Sequence, residues 1–242
     1  YEKNLKLTKK GIKASVSEDL LIIQTIASVS ELDKINNILI KRLREWYGLY
    51  LPEFEHSMQN QEKFVELVLE KNKKELLELI KLDENNCMGA DLDEVHLKEM
   101  KLLGKEIKEL QLLRKKHETY LEKIMSKYCP NILELAGVTI GAKLIELGRS
   151  LKHLAMLPAS TVQLLGAEKA LFRHIKTGSR SPKYGVIFQH LLIQKAGRKE
   201  KGKAARMLAD KLSLCARLDF FKGEFKAPEY KKILGEKLNI KL

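Results

Sequence analysis

A heptad pattern between residues 100 and 128 limits this chain to a small number of folds. Its members are spaced alternately by three and four positions without a slip: Met100, Leu103, Ile107, Leu110, Arg114, His117, Leu121, Ile124 and Tyr128. This spacing places all of them on one face of a long helix and predicts a coiled-coil seam. Pro130 ends the pattern, and Asp91 with Glu94 three positions later predicts a capping box at its start.

A second long helix is predicted upstream of the seam. Pro52 favours the first turn of a helix, and no further Gly or Pro occurs until about Leu82. Small and polar residues at 83–90, including Asn85, then predict a turn. Two long helices joined by one short turn must run antiparallel, so residues 52–128 are expected to form a helical hairpin.

Extra leucines beside the seam indicate a further contact surface on the hairpin, for either a partner or a second copy. Leu102, Leu112 and Leu113 form another apolar line, whereas a two-helix hairpin buries only one seam. The alternative is that they are ordinary exposed apolar residues. The residues expected to contribute to dimerisation are Leu102, Leu103, Ile107, Leu110 and Leu113.

The remaining sequence also favours helices. Residues 1–14 are rich in lysine without a period and are interpreted as a linker or the remnant of a missing N-terminal domain. Apolar residues at 20–29 and 32–46 predict two helices after Ser17, which would form a base for the hairpin. From residue 131 onward, short helical runs are separated by Gly, Pro and Ser, with one strand-like piece at 184–188. The expected fold is all-α, with a helical base and coiled-coil hairpin at 15–130 and a compact helical domain at 131–242.

The positive charge is concentrated in the second half of the chain. The formal net charge is +13, yet residues 1–130 hold 23 basic and 23 acidic side chains. Residues 169–206 alone carry 11 basic residues against one acid, Glu200. A solvated face is the ordinary explanation of a charge run, but the balanced first half favours a segment that binds a polyanion, most simply nucleic acid.

Several function classes are excluded by the residues. The three cysteines lie far apart, and no histidine has a metal-ligand spacing, so no metal site or cofactor is expected and a reducing compartment is favoured. No apolar window is long enough for a membrane helix. Gly197, Gly202 and Lys203 approach the phosphate-loop pattern, but Ala204 stands where a magnesium-binding hydroxyl is needed. We therefore expect a protein that is not an enzyme.

Three sequence segments resemble the Nop domain. Residues 153–174 read H-L-A-M-L-P-A-S-T-V-Q-L-L-G-A-E-K-A-L-F-R-H, and residues 181–188 read S-P-K-Y-G-V-I-F. Residues 201–219 are similar to the long closing helix of that domain, and residues 42–53 resemble its coiled-coil region. The family comprises archaeal and eukaryotic Nop scaffold proteins of box C/D small RNA particles and a spliceosomal Prp relative.

The resemblance implies an RNA-binding scaffold that acts in guided ribose 2'-O-methylation. Such proteins bind kink-turn RNA of the box C/D guide together with a kink-turn-binding protein, and their coiled coils form homodimers. Fibrillarin, the methyltransferase, would be recruited only by the full-length protein. The chain ends at Leu242 without the charged tail of eukaryotic relatives, which favours an archaeal, cytoplasmic protein over a nucleolar one.

The binding residues expected from the resemblance and from the charge lie between 166 and 206. They are Gly166, Ala167, Glu168, Lys169, Ala170, Arg173, Lys176, Arg180, Lys183, Tyr184, Gln189, Arg198, Lys199, Lys201, Lys203 and Arg206. Gln189 departs from the family, where histidine is frequent, and His190 is not expected to replace it. Glu168 is expected to accept a bond from a protein donor, and backbone N–H groups after Gly166 to face a phosphate or the partner. Two alternatives remain open: a coiled-coil dimer that binds nucleic acid unspecifically, and a spliceosomal Prp-type relative.

Overall fold

The computed structural model describes residues 1–83 and 86–239, and in this part of the chain helices are the only regular secondary structure. The all-α fold predicted from the sequence is confirmed. None of the described helices is both long and apolar enough to cross a membrane. Asn85 of the predicted turn, and Leu242 at the chain end, lie outside the described residues.

The helices differ widely in length. The described α-helices are α1 (Glu2–Ala14), α2 (Glu18–Tyr47), α3 (Pro52–Ser57), α4 (Gln61–Glu70), α5 (Lys73–Ile80), α6 (Glu94–Tyr128), α7 (Pro130–Ala136), α8 (Val138–Gly148), α9 (Leu151–Met156), α10 (Ala159–Leu164), α11 (Glu168–Thr177), α12 (Leu191–Lys195), α13 (Lys201–Phe220) and α14 (Ala227–Leu238). A 3-10 turn, Val186–Gln189, is found where the sequence suggested a strand. That suggestion is wrong. The residues after Gly185 form a four-residue turn, which is too short to be a strand and packs against the rest of the domain.

The chain divides into two units, one of residues 28–116 and one that combines residues 1–27 with 117–239. The division falls inside α2 and α6, and not at residue 130 where the sequence predicted a boundary. The cause lies in the first turn of α2, which packs with C-terminal helices. There Asp19 Oδ2 accepts the backbone N–H of Leu151, at the start of α9, at 2.9 Å.

In the unit of residues 28–116, α2 and α6 run antiparallel. Asp33 pairs with Arg114, whereas Leu43, ten residues further along α2, lies beside Gly104 on α6. Residue numbers therefore rise along one helix as they fall along the other. Ile107 is fully buried in the core between them. The seam of α6 is confirmed, and the ion pair with Asp33 explains why an arginine interrupts it.

The partner of α6 in the hairpin was predicted wrongly. Residues 52–82 form the three short helices α3, α4 and α5, not one long helix. Asn60 caps α4 by accepting the N–H of Lys63 at 3.1 Å, and Asn72 forms a capping box with Glu75 at the start of α5. These polar caps end one helix and begin the next without Gly or Pro. The long arm that pairs with α6 is α2.

Two further expectations are corrected, and the N-terminal segment is found to be helical. The helix α6 begins at Glu94, because Asp91 is held by Lys73 Nζ at 2.8 Å and does not cap it. Residues 20–46 form the single helix α2 and not two helices, since no breaking residue interrupts their apolar period. Residues 2–14 form a helix whose described side chains are exposed, which accounts for the missing apolar period. Their interpretation as a linker or the remnant of an N-terminal domain stays a prediction.

The C-terminal helices pack around α13, which contacts α7, α9, α10 and α14. Asp219 on α13 accepts the backbone N–H groups of Asn131 at 3.0 Å and Ile132 at 2.9 Å, and so caps α7. The side-chain oxygen of Asn131 in turn accepts the N–H groups of Lys226 and Ala227 at the start of α14. This pair fixes the starts of α7 and α14 against α13.

Candidate nucleic-acid interface

Helix α11 presents basic and apolar side chains side by side. Lys169, Arg173 and Lys176 recur at i, i+4 and i+7, so they lie on one stripe of the helix, and all three are exposed. Phe172 and Ile175 lie on the adjoining stripe and are 67% and 70% exposed. The basic stripe suits phosphates, but phosphates do not account for two large exposed apolar side chains.

The opposite side of α11 faces the protein. Leu171 and His174 are half-buried, and His174 Nδ1 is hydrogen-bonded to the carbonyl of Ser179 in the loop that follows the helix. None of the residues of α11 is fully buried. The helix is therefore anchored along one side and open to a partner along the rest, where Ala170 is also exposed.

The turn before α11 requires glycine. Gly166 has φ +85°, and a Cβ at this position would lie 2.5 Å from Val186 Cγ2. Its N–H donates to Glu168 Oε1 at 2.7 Å, and the N–H of Ala167 donates to the carbonyl of Leu164 at 2.9 Å. The tight turn uses both of these N–H groups, so neither is available to a partner, and the N–H groups at the start of α11, from Glu168 onward, are the ones still expected to face a phosphate or the partner. One Glu168 oxygen is likewise used within the chain.

The segment at 183–186 docks directly on this turn. The N–H of Gly185 donates to the carbonyl of Gln163, and the N–H of Val186 to that of Leu165, both at 2.8 Å. Gln163 Nε2 also donates to the carbonyl of Lys183 at 2.5 Å. A Cβ at Gly185 would lie 1.9 Å from the Leu165 oxygen, so only glycine permits this approach. Two of the segments that carry the family resemblance thus form one surface.

Aromatic rings extend this surface toward α13. Tyr184 stacks on Phe188 with ring centroids 4.5 Å apart, and Lys201 Nζ lies 5.1 Å from the centroid of Phe188. The aliphatic part of Lys183 lies beside Gly202 in the first turn of α13. Half-buried rings next to lysines are suited to contacts with RNA bases and phosphates.

Gln189 and His190 have different roles. Gln189 ends the 3-10 turn and is exposed. His190 Nε2 donates to the carbonyl of Leu135 at 2.9 Å, and its Nδ1 accepts the N–H of Leu192 at 3.2 Å, which caps α12. Burial lowers the pKa of His190, so the neutral ring that both bonds require is favoured. Both ring nitrogens of His190 are therefore used within the chain.

The remaining predicted residues lie in the loop after α11 and around the start of α13. Arg180, Arg198, Lys199, Lys203 and Arg206 are exposed, and Arg206 lines a shallow groove together with Gln163. The glycines at 197 and 202 do not form a phosphate loop: the short helix α12 precedes them, Gly202 lies inside α13, and Ala204 is fully buried.

Comparison with known proteins identifies the family. The Nop family, described as "snoRNA binding domain, fibrillarin", matches residues 28–242. The chain belongs to the Nop family.

Relatives and a solved structure agree with this assignment. An uncharacterized NOP5 family protein of Methanocaldococcus jannaschii is 42% identical over 96% of this chain and 59% of its own length. Nucleolar protein 56 of Caenorhabditis elegans is 38% identical over 84% of this chain and 46% of its length, and that of Homo sapiens is 37% identical over 96% and 41%. A crystal structure of a fibrillarin/Nop5p complex matches with a TM-score of 0.58 at 26% identity, covering 97% of this chain and 74% of that one. The chain thus spans about half the length of these curated relatives.

The sequence analysis missed Phe172, Ile175 and Phe188 as residues of this candidate interface. No signal in the sequence points to the first two as exposed residues, because Leu171, Phe172 and Ile175 follow the i, i+1, i+4 spacing of an ordinary buried helix face. Phe188 could be found only from its stacking on Tyr184, because the docked turn brings the two rings together. Gln163 was missed because its contacts join segments 20 residues apart.

The residues predicted for Nop-type dimerisation fall into two groups. Leu102 and Leu113 are 52% and 41% exposed and remain available to a partner. Ile107 is fully buried and Leu103 packs against the same core, so both contact other helices of their own unit. Their assignment to the dimer surface is wrong, because α2 fills the seam. Leu110 is half-buried on that seam.

Proposed function

We propose that this Nop-family chain is an RNA-binding scaffold of box C/D ribonucleoprotein particles that guide ribose 2'-O-methylation. It docks on a composite surface of kink-turn RNA and a kink-turn-binding protein through α11 and the segment at 183–189. The observation that carries this proposal is the pairing on α11 of a basic stripe with the exposed Phe172 and Ile175.

The basic stripe and the apolar stripe of α11 are suited to two different kinds of partner. Lys169, Arg173 and Lys176 are suited to RNA phosphates, which position a protein on nucleic acid. Burying a Phe or Ile side chain against a protein contributes about 1.5–3 kcal/mol each. A phosphate backbone offers no such apolar surface. RNA and protein bound side by side satisfy both stripes, whereas the phosphates of naked RNA satisfy only the basic one.

The other particle components follow from the relatives. One solved structure similar to this chain is a fibrillarin/Nop5p complex. We infer that the full-length protein recruits fibrillarin, which supplies the methyl transfer, while the scaffold contributes binding and positioning. Self-association is assigned to the exposed leucines Leu102 and Leu113 on α6. Two copies would then hold two docking surfaces in one particle.

Charge reversal on α11 tests the proposal. Lys169→Glu with Arg173→Glu is expected to weaken binding to a preformed kink-turn RNA–protein complex by more than tenfold, since two phosphate contacts become repulsive. The matched control is Lys232→Glu with Lys237→Glu, which makes the same charge change at exposed positions of α14. Affinity is measured by fluorescence anisotropy with labelled RNA.

The pattern of losses separates the composite surface from unspecific attraction. Phe172→Ala removes no charge, and it is expected to weaken binding to the RNA–protein complex while leaving binding to naked RNA unchanged. Equal losses for the α11 variant and the α14 control would show that only the net charge matters. In that case the protein would bind nucleic acid unspecifically.

A further inference from the structure

A second concentration of lysines lies in the unit of residues 28–116. This unit holds 16 basic and 18 acidic residues, so its net charge gives no sign of an anion site. Seven lysines nevertheless line two adjoining cavities of about 510 and 540 Å³ that share Lys98 and Lys101. Glu94 and Glu99 are the acids among the described lining residues. We call this surface the lysine groove; its lysines are Lys71, Lys73, Lys74, Lys98, Lys101, Lys105 and Lys108.

The lysines of one wall form a line. Lys98, Lys101, Lys105 and Lys108 recur at i, i+3, i+7 and i+10 on α6, which places them on one face over about 15 Å at 1.5 Å per residue. A linear array of charges matches a polyphosphate chain better than it matches a single small anion.

The charges of this wall are available to a ligand. Lys98 and Lys108 are paired only loosely, with Glu94 at 3.5 Å and Glu70 at 3.8 Å, and these carboxylates are exposed. Exposed ion pairs of this kind are weak and are exchanged readily. For Lys101 and Lys105, the described part of the chain shows no ion pair.

Aromatic rings line the groove beside the lysines. Tyr50 is half-buried, and Lys73 Nζ lies 5.1 Å from the centroid of its ring. Tyr47 packs edge-on against Tyr50 with centroids 5.6 Å apart and holds the ring in place. A basic groove that follows a backbone, combined with a ring on which a base stacks, is the usual arrangement of single-strand binding sites.

We propose that the lysine groove binds a single-stranded stretch of RNA, with phosphates along α6 and a base against Tyr50. The groove lies in a different unit from α11, and its residues are not part of the interface described above. An acidic peptide would be attracted by the same charges but gains nothing from the aromatic ring. The observations therefore favour RNA.

The experiment uses the full chain carrying Lys169→Glu and Arg173→Glu, so that the α11 interface contributes little. The probe is a 12-nucleotide single-stranded RNA without a kink-turn, substituted with 4-thiouridine. Cross-linked peptides are expected to contain Tyr50 or residues 71–74 or 94–108. Adding Lys98→Glu and Lys101→Glu should weaken binding at least tenfold at low salt. With about 0.7 counterions released per phosphate contact on single strands, the slope of log affinity against log salt should fall by about 1.4.

The control adds Lys41→Glu and Lys63→Glu, an identical charge change at exposed positions outside the groove in the same unit. It is expected to retain the affinity of the parent. An equal loss in the control, cross-links confined to other peptides, or tighter binding of an oligoglutamate peptide than of RNA would each overturn the proposal. Lys98→Glu with Lys101→Glu, in a chain that keeps Lys169 and Arg173, should still bind the kink-turn RNA–protein complex. The lysine groove and the α11 interface are therefore tested independently.

Discussion

Replacing Asp219 by alanine should destabilise the helical unit that carries the docking surface. The carboxylate of Asp219 accepts the backbone N–H groups of Asn131 and Ile132 and the side-chain amide of Asn131 at 2.8 Å. In Asp219→Ala the two backbone donors are left buried without an acceptor. The amide of Asn131 keeps only its 3.3 Å contact with the carbonyl of Glu224.

The size of the effect follows from this count. Each orphaned buried donor costs about 1–3 kcal/mol. Part of this is offset, because burial raises the pKa of Asp219 and its removal relieves the cost of a buried carboxylate. We expect a net loss of about 3 kcal/mol, which corresponds to a fall in Tm of roughly 6–12 °C for a chain of this length.

Chemical and thermal unfolding followed by circular dichroism measures this loss. The control is Asp210→Ala on the same helix, where the aspartate is exposed and pairs with Lys211 at the surface. Its removal should cost less than about 1 kcal/mol. Asp219→Asn retains one acceptor oxygen and should fall between the two. If Asp219→Ala unfolds no more easily than Asp210→Ala, the cap of α7 does not contribute as inferred.

Three further predictions concern pH, assembly and the docked turn. The pKa of His190 is lowered in the folded state, so the unfolded state binds more protons below about pH 6.5. The free energy of unfolding should therefore fall as the pH drops from 7 toward 5. A His190→Asn variant with an unchanged pH profile would contradict this. Leu102→Glu with Leu113→Glu should shift the protein from dimer toward monomer in light scattering without loss of helicity. A wild-type protein that is already monomeric at tens of micromolar would refute self-association. Gly185→Ala should abolish binding to the RNA–protein complex, because its Cβ would collide with the backbone of Leu165. Gly197→Ala, whose Cβ meets open space, should bind normally in the same titration. Equal affinity of the two variants would contradict a role for the contact between Gly185 and Leu165.

The parts of the fold that could be predicted are those determined by residues close together in the sequence. The seam of α6 follows from periodicity, and the starts and ends of most C-terminal helices follow from Gly and Pro. The breaks in residues 52–82 could not be predicted in this way, because Asn60 and Asn72 cap helices with side chains that are also common in uninterrupted polar stretches. The sequence therefore predicts residues 52–82 as the partner of α6, whereas the structure pairs α6 with α2.

The candidate site was predictable in its charges but not in its internal bonds. Lys169 and Arg173 are exposed on α11, as a basic segment suggests. The bond from the Gly166 N–H to Glu168 forms only when the turn before α11 closes. The cap of α12 by His190 likewise depends on the docked segment at 183–189. Such contacts form between residues whose proximity is decided by packing, so the sequence pattern leaves them open.

The central claim is that α11 recognises RNA and protein together. Its most direct test is a titration of the unmodified chain against kink-turn RNA alone and against the same RNA already bound to its kink-turn-binding protein. The composite surface predicts weak binding to the naked RNA and tight binding to the complex, because only the complex offers both phosphates and an apolar surface to Phe172 and Ile175. Equal affinity for the two would contradict the claim.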